Sequence, residues 1–234
     1  KNHFIHSFQW IPRIKQSERP ALESQAHIEG LVNFHFTILS EESTFITAPN
    51  KREYFPIQYI EPFFGNDSLL GFDISSQPTL LNLVNRARDS GKIVAANTKD
   101  LFNQDPNRML TLFFSPLYKG GETPKTTEAR KRLFMGVAVG TYQLNDMIRQ
   151  VIEPYLIPGI FLTVFDKNKK NNLYGNLKEN ALIKKEMGLN ISMIHWTLVW
   201  QGNLDFQKGP NRLHNFYFIV LVSLLECRQL DRSF

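Results

Sequence analysis

Apolar residues recur along this chain at two spacings, and polar turn residues gather where the spacing changes. The best-marked segment is "SSQPTLLNLVNRARDSGK". Leu80, Leu81, Val84 and Ala87 repeat at helical spacing, Ser76 or Gln77 stands at the N-cap, and Pro78 lies in the first turn. Gly91 supplies a left-handed stop, so a helix is predicted over 78–90. "SERPALESQAHIEG" predicts another, with Ser17 as N-cap, Pro20 in the first turn and Gly30 as the stop. "HFIHSFQWIPRI" also reads as helix until Pro12, which kinks or breaks it. Residues 1–33 are therefore expected to form a long, interrupted N-terminal helical segment.

Beyond it the spacing is mostly two. "NFHFTIL", "YFPIQYI", "LLGFDI" and "KIVAA" predict strands, and the second and third of these read as a hairpin across the turn "GND". Two long strands follow, "RMLTLFFSPLY" and "RLFMGVAVGTY", joined by the polar "KGGETPKTTEARK". A helix over 144–153 leads to Pro154 and Pro158. After it come "GIFLTVFD", the turn "KNKKNN", "LYGN" and the strand pair "LNISMIHWTLVW". The fold class is α+β: a long helix, a sheet unit over 34–153 and a smaller one over 154–215, with mixed or antiparallel strands. Residues 216–234 open with "FYFIVLVSLL", which Glu226 interrupts. That run is either a core element or the start of a membrane span, and no stretch reaches the roughly 18 apolar residues a span needs. The chain opens on Lys1 with neither an initiator Met nor an apolar leader, so it is expected to be a processed or excised piece.

Composition narrows the function. Nineteen phenylalanines favour apolar walls or an apolar cavity. The net charge of +5 is spread along the chain, with small clusters only at 130–132 and 167–170, the second in an Asn-rich turn. No nucleic-acid partner is expected from such scattered charge, although a nearby anionic membrane surface is compatible with it. The lone Cys227 excludes an internal disulfide or a cysteine zinc site. "YKGGETPKT" lacks the spacing of a phosphate loop, and no nucleophile elbow occurs. His3 and His6 lack a third ligand, while His27, His35, His195 and His214 read as structural. Asn66-Asp67-Ser68 and Asn190-Ile191-Ser192 match the glycosylation pattern, which matters only in a eukaryotic secretory pathway. No catalytic residue, metal site or cofactor is predicted.

One residue stands out. In "LLGFDISS", strand alternation puts Gly71 and Asp73 on one face, with Phe72 and Ile74 on the other. Asp73 either accepts hydrogen bonds from the N–H groups of a ligand seated over Gly71, or caps the following turn at Ser75 and Ser76. In the first long strand Leu110, Leu112 and Phe114 form a greasy face suited to the core. Met109, Thr111, Phe113 and Ser115 form a mixed one, as in a ligand pocket or a half-exposed sheet.

These residues also carry a family resemblance. "YFPIQYIEPFFGNDSLLGFDISSQPTLLNLVNRARDSGK", followed by "LFFSPLYKG", resembles the CHASE domain, and upstream "FQWIPRI" with "ER" and "LES" resembles its bacterial members. CHASE is the extracytoplasmic sensor module of bacterial histidine kinases and cyclases and of the plant cytokinin receptors. The match is dense over residues 8–152. The resemblance implies a long N-terminal helix, often dimerising, two tandem PAS-like sheet units, and transmembrane helices on both sides. It implies a periplasmic, non-enzymatic sensor whose parent is a histidine kinase or a diguanylate cyclase or phosphodiesterase, within a two-component or cyclic-dinucleotide pathway. By position it assigns Asp73 to the ligand ring, the Ala95 carbonyl to the same ring, and Thr111, Phe113, Ser115, Leu133 and Met135 to the pocket walls. The ligand would be a small molecule, adenine- or cytokinin-like in the plant members. The alternative is a periplasmic protein–protein interaction module in which Asp73 is only a turn cap.

Overall fold

The computed structural model describes residues 5–99, 109–166, 171–191, 194–204 and 206. Cys227, the segment 216–234 and the basic stretch 167–170 lie outside these.

The chain does not open on a helix. Residues Ile5–Pro12 form a strand, β1, hydrogen-bonded on both sides within a five-stranded sheet. Its side chains alternate: Ser7 and Ile11 are buried on one face, while Phe8 stands half-exposed on the other. Such alternation with aromatic and β-branched residues suits a pleated strand. Pro12 ends the strand, where its missing N–H interrupts no ladder. The helical part of the expected segment shrinks to α1 (Arg19–Ile28), preceded by the two-residue β2 (Ile14–Lys15). The long N-terminal helix is thus corrected to a strand and a ten-residue helix.

Short strands follow: β3 (Thr37–Leu39), β4 (Phe45–Thr47), β5 (Glu53–Tyr54) and β6 (Tyr59–Glu61). Helix α2 (Pro78–Ser90) then appears with the expected bounds, and Gly91 closes it at φ +70°. β7 (Val94–Lys99), β8 (Met109–Tyr118) and β9 (Phe134–Gln143) complete the first sheet in the order β6-β1-β9-β8-β7, every neighbour antiparallel. The polar "KGGETPKTTEARK" holds a helix, α3 (Thr127–Leu133), capped by the Thr126 hydroxyl, which accepts from the Ala129 N–H. Leu133 therefore ends a helix instead of opening a strand.

Helix α4 (Leu144–Val151) leads to the second sheet of β10 (Ile160–Asp166), β11 (Asn172–Tyr174), β12 (Ile183–Ile191) and β13 (Ile194–Gly202). Its order is β11-β10-β13-β12, again antiparallel throughout.

Three apolar clusters hold these pieces together. On one face of the first sheet, Leu80, Leu83, Val84 and Ala87 of α2 pack onto Leu112, Phe114, Val137 and Val139. On the other face, Ala95 and Phe113 meet Leu144 and Ile148 of α4, which also cover Leu162, Val164, Trp196 and Leu198 of the second sheet. The sheets are thus joined through α4 and the back of β7 and β8. A third cluster sets Ala26 of α1 against Phe34, Phe36, Ala48 and Tyr54.

Candidate functional site

The segment around Asp73 is extended but is not a ladder strand, because tight 3-10 turns flank it at Asp67–Leu69 and Ile74–Ser76. It lies bonded between two neighbours. Gly71 N–H donates to Ile57 O at 2.9 Å, Ile57 N–H to Phe72 O at 3.0 Å and Ile74 N–H to Phe55 O at 3.0 Å. On the other side Thr37 N–H donates to Gly71 O at 3.0 Å, and Asp73 N–H to Thr37 O at 2.8 Å. Gly71 has φ +79°, and a β-carbon there would sit 2.1 Å from the His35 carbonyl oxygen, so only glycine admits this approach. Phe72 and Ile74 turn into the α2-side core.

Asp73 is fully buried, at 0% exposure. Its Oδ1 accepts from Phe55 N–H at 2.9 Å, Ser75 N–H at 3.1 Å and the Ser75 hydroxyl at 2.7 Å. The capping contacts expected at the turn are therefore made, and they extend to a second segment through Phe55. Oδ2 meets no donor at regular hydrogen-bond geometry and touches the Lys51 ammonium as an ion pair. Lys51 Nζ also donates to Ser75 Oγ at 2.7 Å and lies 5.1 Å from the centre of the Tyr54 ring. A carboxylate, a hydroxyl oxygen and an aromatic face together make an ammonium seat, filled here by a lysine whose side chain is 31% exposed.

A polar chain continues from that seat. The buried Tyr54 hydroxyl accepts from Lys51 N–H at 3.0 Å and donates to Gln16 Oε1. Arg19 donates to Ala48 O at 2.8 Å and to Glu23 Oε1 at 2.9 Å, and its guanidinium stacks 5.1 Å from the Phe36 ring. Burial works against the Arg19 charge, but Tyr54 and Glu23 outweigh it and hold the guanidinium protonated. Glu23 Oε1 in turn accepts from Phe36 N–H at 2.8 Å. Neither Lys51 nor this chain was legible in the sequence, where residues 40–52 only separate the predicted strands "NFHFTIL" and "YFPIQYI".

The other expected pocket residues lie elsewhere. Ala95 faces Phe113 across β7 and β8, Thr111 is paired with Asn97, and Ser115 with Ala138. Thr111 donates its hydroxyl to Asn97 Oδ1 at 3.0 Å, and Phe113 meets Tyr142 edge-on at 5.5 Å. With side chains alternating, this face looks towards α4 and the second sheet, while Leu112 and Phe114 look towards α2. Asp73 belongs to the α2 side. The sheet therefore separates Asp73 from Ala95, Thr111, Phe113 and Ser115. Leu133 packs against the α2-side core, and Met135 is 48% exposed. The seven residues are thus not gathered on one side of the first sheet.

Among the described residues no cluster of three His, Cys, Asp or Glu side chains is placed to hold a metal. None of their helices is long and apolar enough to cross a membrane. The class this describes is an α+β domain of two linked antiparallel sheets. The CHASE domain family model matches residues 1–174 of the 234. The chain belongs to the CHASE domain family, and CHASE is an extracytoplasmic sensor domain, not a catalytic one. No curated protein matches the chain. Among solved structures it is similar to the ligand-binding domain of the Pseudomonas aeruginosa amino-acid chemoreceptor PctC, in complex with GABA. That likeness has 9% identity and a TM-score of 0.37, covering 86% of this chain and 75% of the other.

Proposed function

We propose that this domain senses a small molecule for a membrane-bound signalling receptor, with a histidine kinase or a cyclic-dinucleotide enzyme as its cytoplasmic output. Ligand recognition centres on Asp73. The observation that carries this reading is the unequal use of its two oxygens. Oδ1 is committed to three donors of the chain itself, whereas Oδ2 is held only by the half-exposed Lys51. A ligand N–H group, from an adenine-like ring or an amine, takes the place of the lysine on Oδ2. Leu133 backs the same core from α3. Ala95, Thr111, Phe113 and Ser115 act in transmission, because their face of the sheet meets α4 and the second sheet. Signalling requires the ligand to favour one packing of the two sheets over the other.

Lys51→Met tests this directly. Removing the internal competitor is expected to tighten binding of any ligand that uses Oδ2, read by calorimetric titration with adenine, N6-substituted adenines, nucleosides and amino acids. A ligand bound equally well by the parent domain and by Lys51→Met, and equally again by Asp73→Asn, does not use this oxygen and removes the proposal.

A further inference from the structure

Two cavities adjoin, one of them lined by Thr37 and neither by Asp73. The first, about 440 Å³, lies between residues 30–37 and 67–70. The second, about 570 Å³, lies between α1's end, the edge strand β6 and its neighbour β1. They share Leu31, Phe63 and Leu70, so they form one groove.

Its charge is opposite to that of the molecule. The chain carries a net +5, yet no Lys or Arg lines either cavity. Asp67 lines the first, and Glu29 and Glu61 line the second. Glu29 accepts from the neutral Gln25 amide at 2.9 Å, and none of the three acids is ion-paired with a cation among the described residues. Acids gathered in a concave site without counter-charges focus a negative potential there. Phe63 and Tyr59, 38% and 51% exposed, offer aromatic faces, which attract cations. At the inner wall Thr37 is 7% exposed, and its hydroxyl has no hydrogen-bond partner. A buried polar group left unpaired inside a cavity marks a place where a ligand atom completes the bonding.

We propose that this groove binds a small organic cation, an amine whose ammonium group meets Asp67 and the Thr37 hydroxyl and whose apolar body lies along Phe63. A diamine places its second ammonium near Glu29 and Glu61. The site goes beyond the Asp73 reading and does not require it. The two are adjacent, because the Thr37 backbone is bonded to Gly71 O and to Asp73 N–H. An occupant therefore bears on the segment that carries Asp73.

The test is titration of the domain with phenethylamine and 1,4-diaminobutane, with neutral N-acetylphenethylamine as control. Both amines are expected to bind, more weakly as salt is raised, and the acetylated control is not. Asp67→Asn is expected to weaken phenethylamine by about tenfold, and Glu29→Gln with Glu61→Gln to weaken the diamine more than the monoamine. Asp67, Glu29 and Glu61 are exposed, so these variants are expected to fold as the parent does, checked by their melting midpoints. Absence of amine binding up to about 10 mM, equal binding of the acetylated control, or binding indifferent to Asp67→Asn overturns the groove. Amine binding lost in Asp73→Asn and retained in Asp67→Asn overturns the groove but favours the Asp73 site. Binding that depends on Asp67 and survives Asp73→Asn establishes the groove whatever the adenine series shows.

Discussion

Asp73→Ala separates a structural carboxylate from one that serves a ligand alone. The substitution removes the acceptor of Phe55 N–H and Ser75 N–H, the first of them fully buried. Leaving a buried donor unpaired costs about 1–3 kcal/mol each. Lys51 loses its partner too, but at 31% exposure it can turn to water, so this part is discounted to below about 1 kcal/mol. The sum runs from about 2 to about 7 kcal/mol, centred near 4. For a domain of this size about 2–4 °C accompany each kcal/mol, so the ligand-free midpoint falls by about 10 °C. Asp73→Asn keeps an acceptor oxygen for the two N–H groups and loses chiefly the ion pair, below about 1 kcal/mol. Lys51→Met leaves the buried Oδ2 without its one partner, because all three donors sit on Oδ1, and is expected to cost more than Asp73→Asn. The assay is thermal denaturation of all three variants without ligand, followed by circular dichroism. If Asp73→Ala melts within about 2 °C of the parent, the bonding described around Oδ1 does not stabilise the fold, and the reasoning fails.

Other outcomes follow from the same geometry. Gly71→Ala combines the roughly 1–2 kcal/mol strain of a positive φ with a backbone collision at His35 O, so it is expected to melt lower than Gly91→Ala. At Gly91 the contacts are with side chains of Thr123 and Arg130, which can shift; urea midpoints of the two variants give the order. Tyr174 is pushed up to about 12 by burial and by its bond to Glu153. A raised value means that its contribution is whole below the ordinary tyrosine range, near 10, and is lost as pH climbs towards 12. Tyr174→Phe should abolish that part of the alkaline loss, and absorbance titration should show one tyrosine fewer ionising late. Asp89 is held below the usual carboxylate range first by its hydrogen bond from Arg88, burial opposing. Its stabilisation is present above about pH 4 and lost as pH falls further; being a surface pair it is worth less than about 1 kcal/mol, so Asp89→Asn should flatten the acid limb only slightly.

What could be read from the sequence was local. Pro78 and Gly91 bracket α2 because both are backbone restraints that act within one turn, and the long strands β8 and β9 show their alternation over ten residues each. The first strand was misread because "HFIHSFQWIPRI" satisfies two periods at once. Phe4, Phe8 and Ile11 repeat at helical spacing, while Ser7, Gln9 and Ile11 alternate with Phe8 and Trp10, and pairing with β9 decides between them. The two faces of β8 were separable, but their roles were not. Both are covered, one by α2 and the other by α4 and the second sheet, so the mixed polarity of Thr111, Phe113 and Ser115 marks a junction as easily as a pocket. The partners of Asp73 were invisible for another reason. Phe55 and Lys51 lie 18 and 22 residues upstream, and only the crossing of segments 37, 55–57 and 71–74 brings them together.

The central claim is that this CHASE domain recognises a small molecule at Asp73, and thermal shift of the parent and Asp73→Asn against adenine, N6-substituted adenines, nucleosides and amino acids tests it most directly. A ligand at about a hundred times its dissociation constant adds roughly 2.7 kcal/mol, a rise of several degrees. The account predicts such a rise with at least one compound in the parent and its loss in Asp73→Asn. A rise of equal size in both proteins, or none in either while Asp73→Asn alone melts lower, contradicts it.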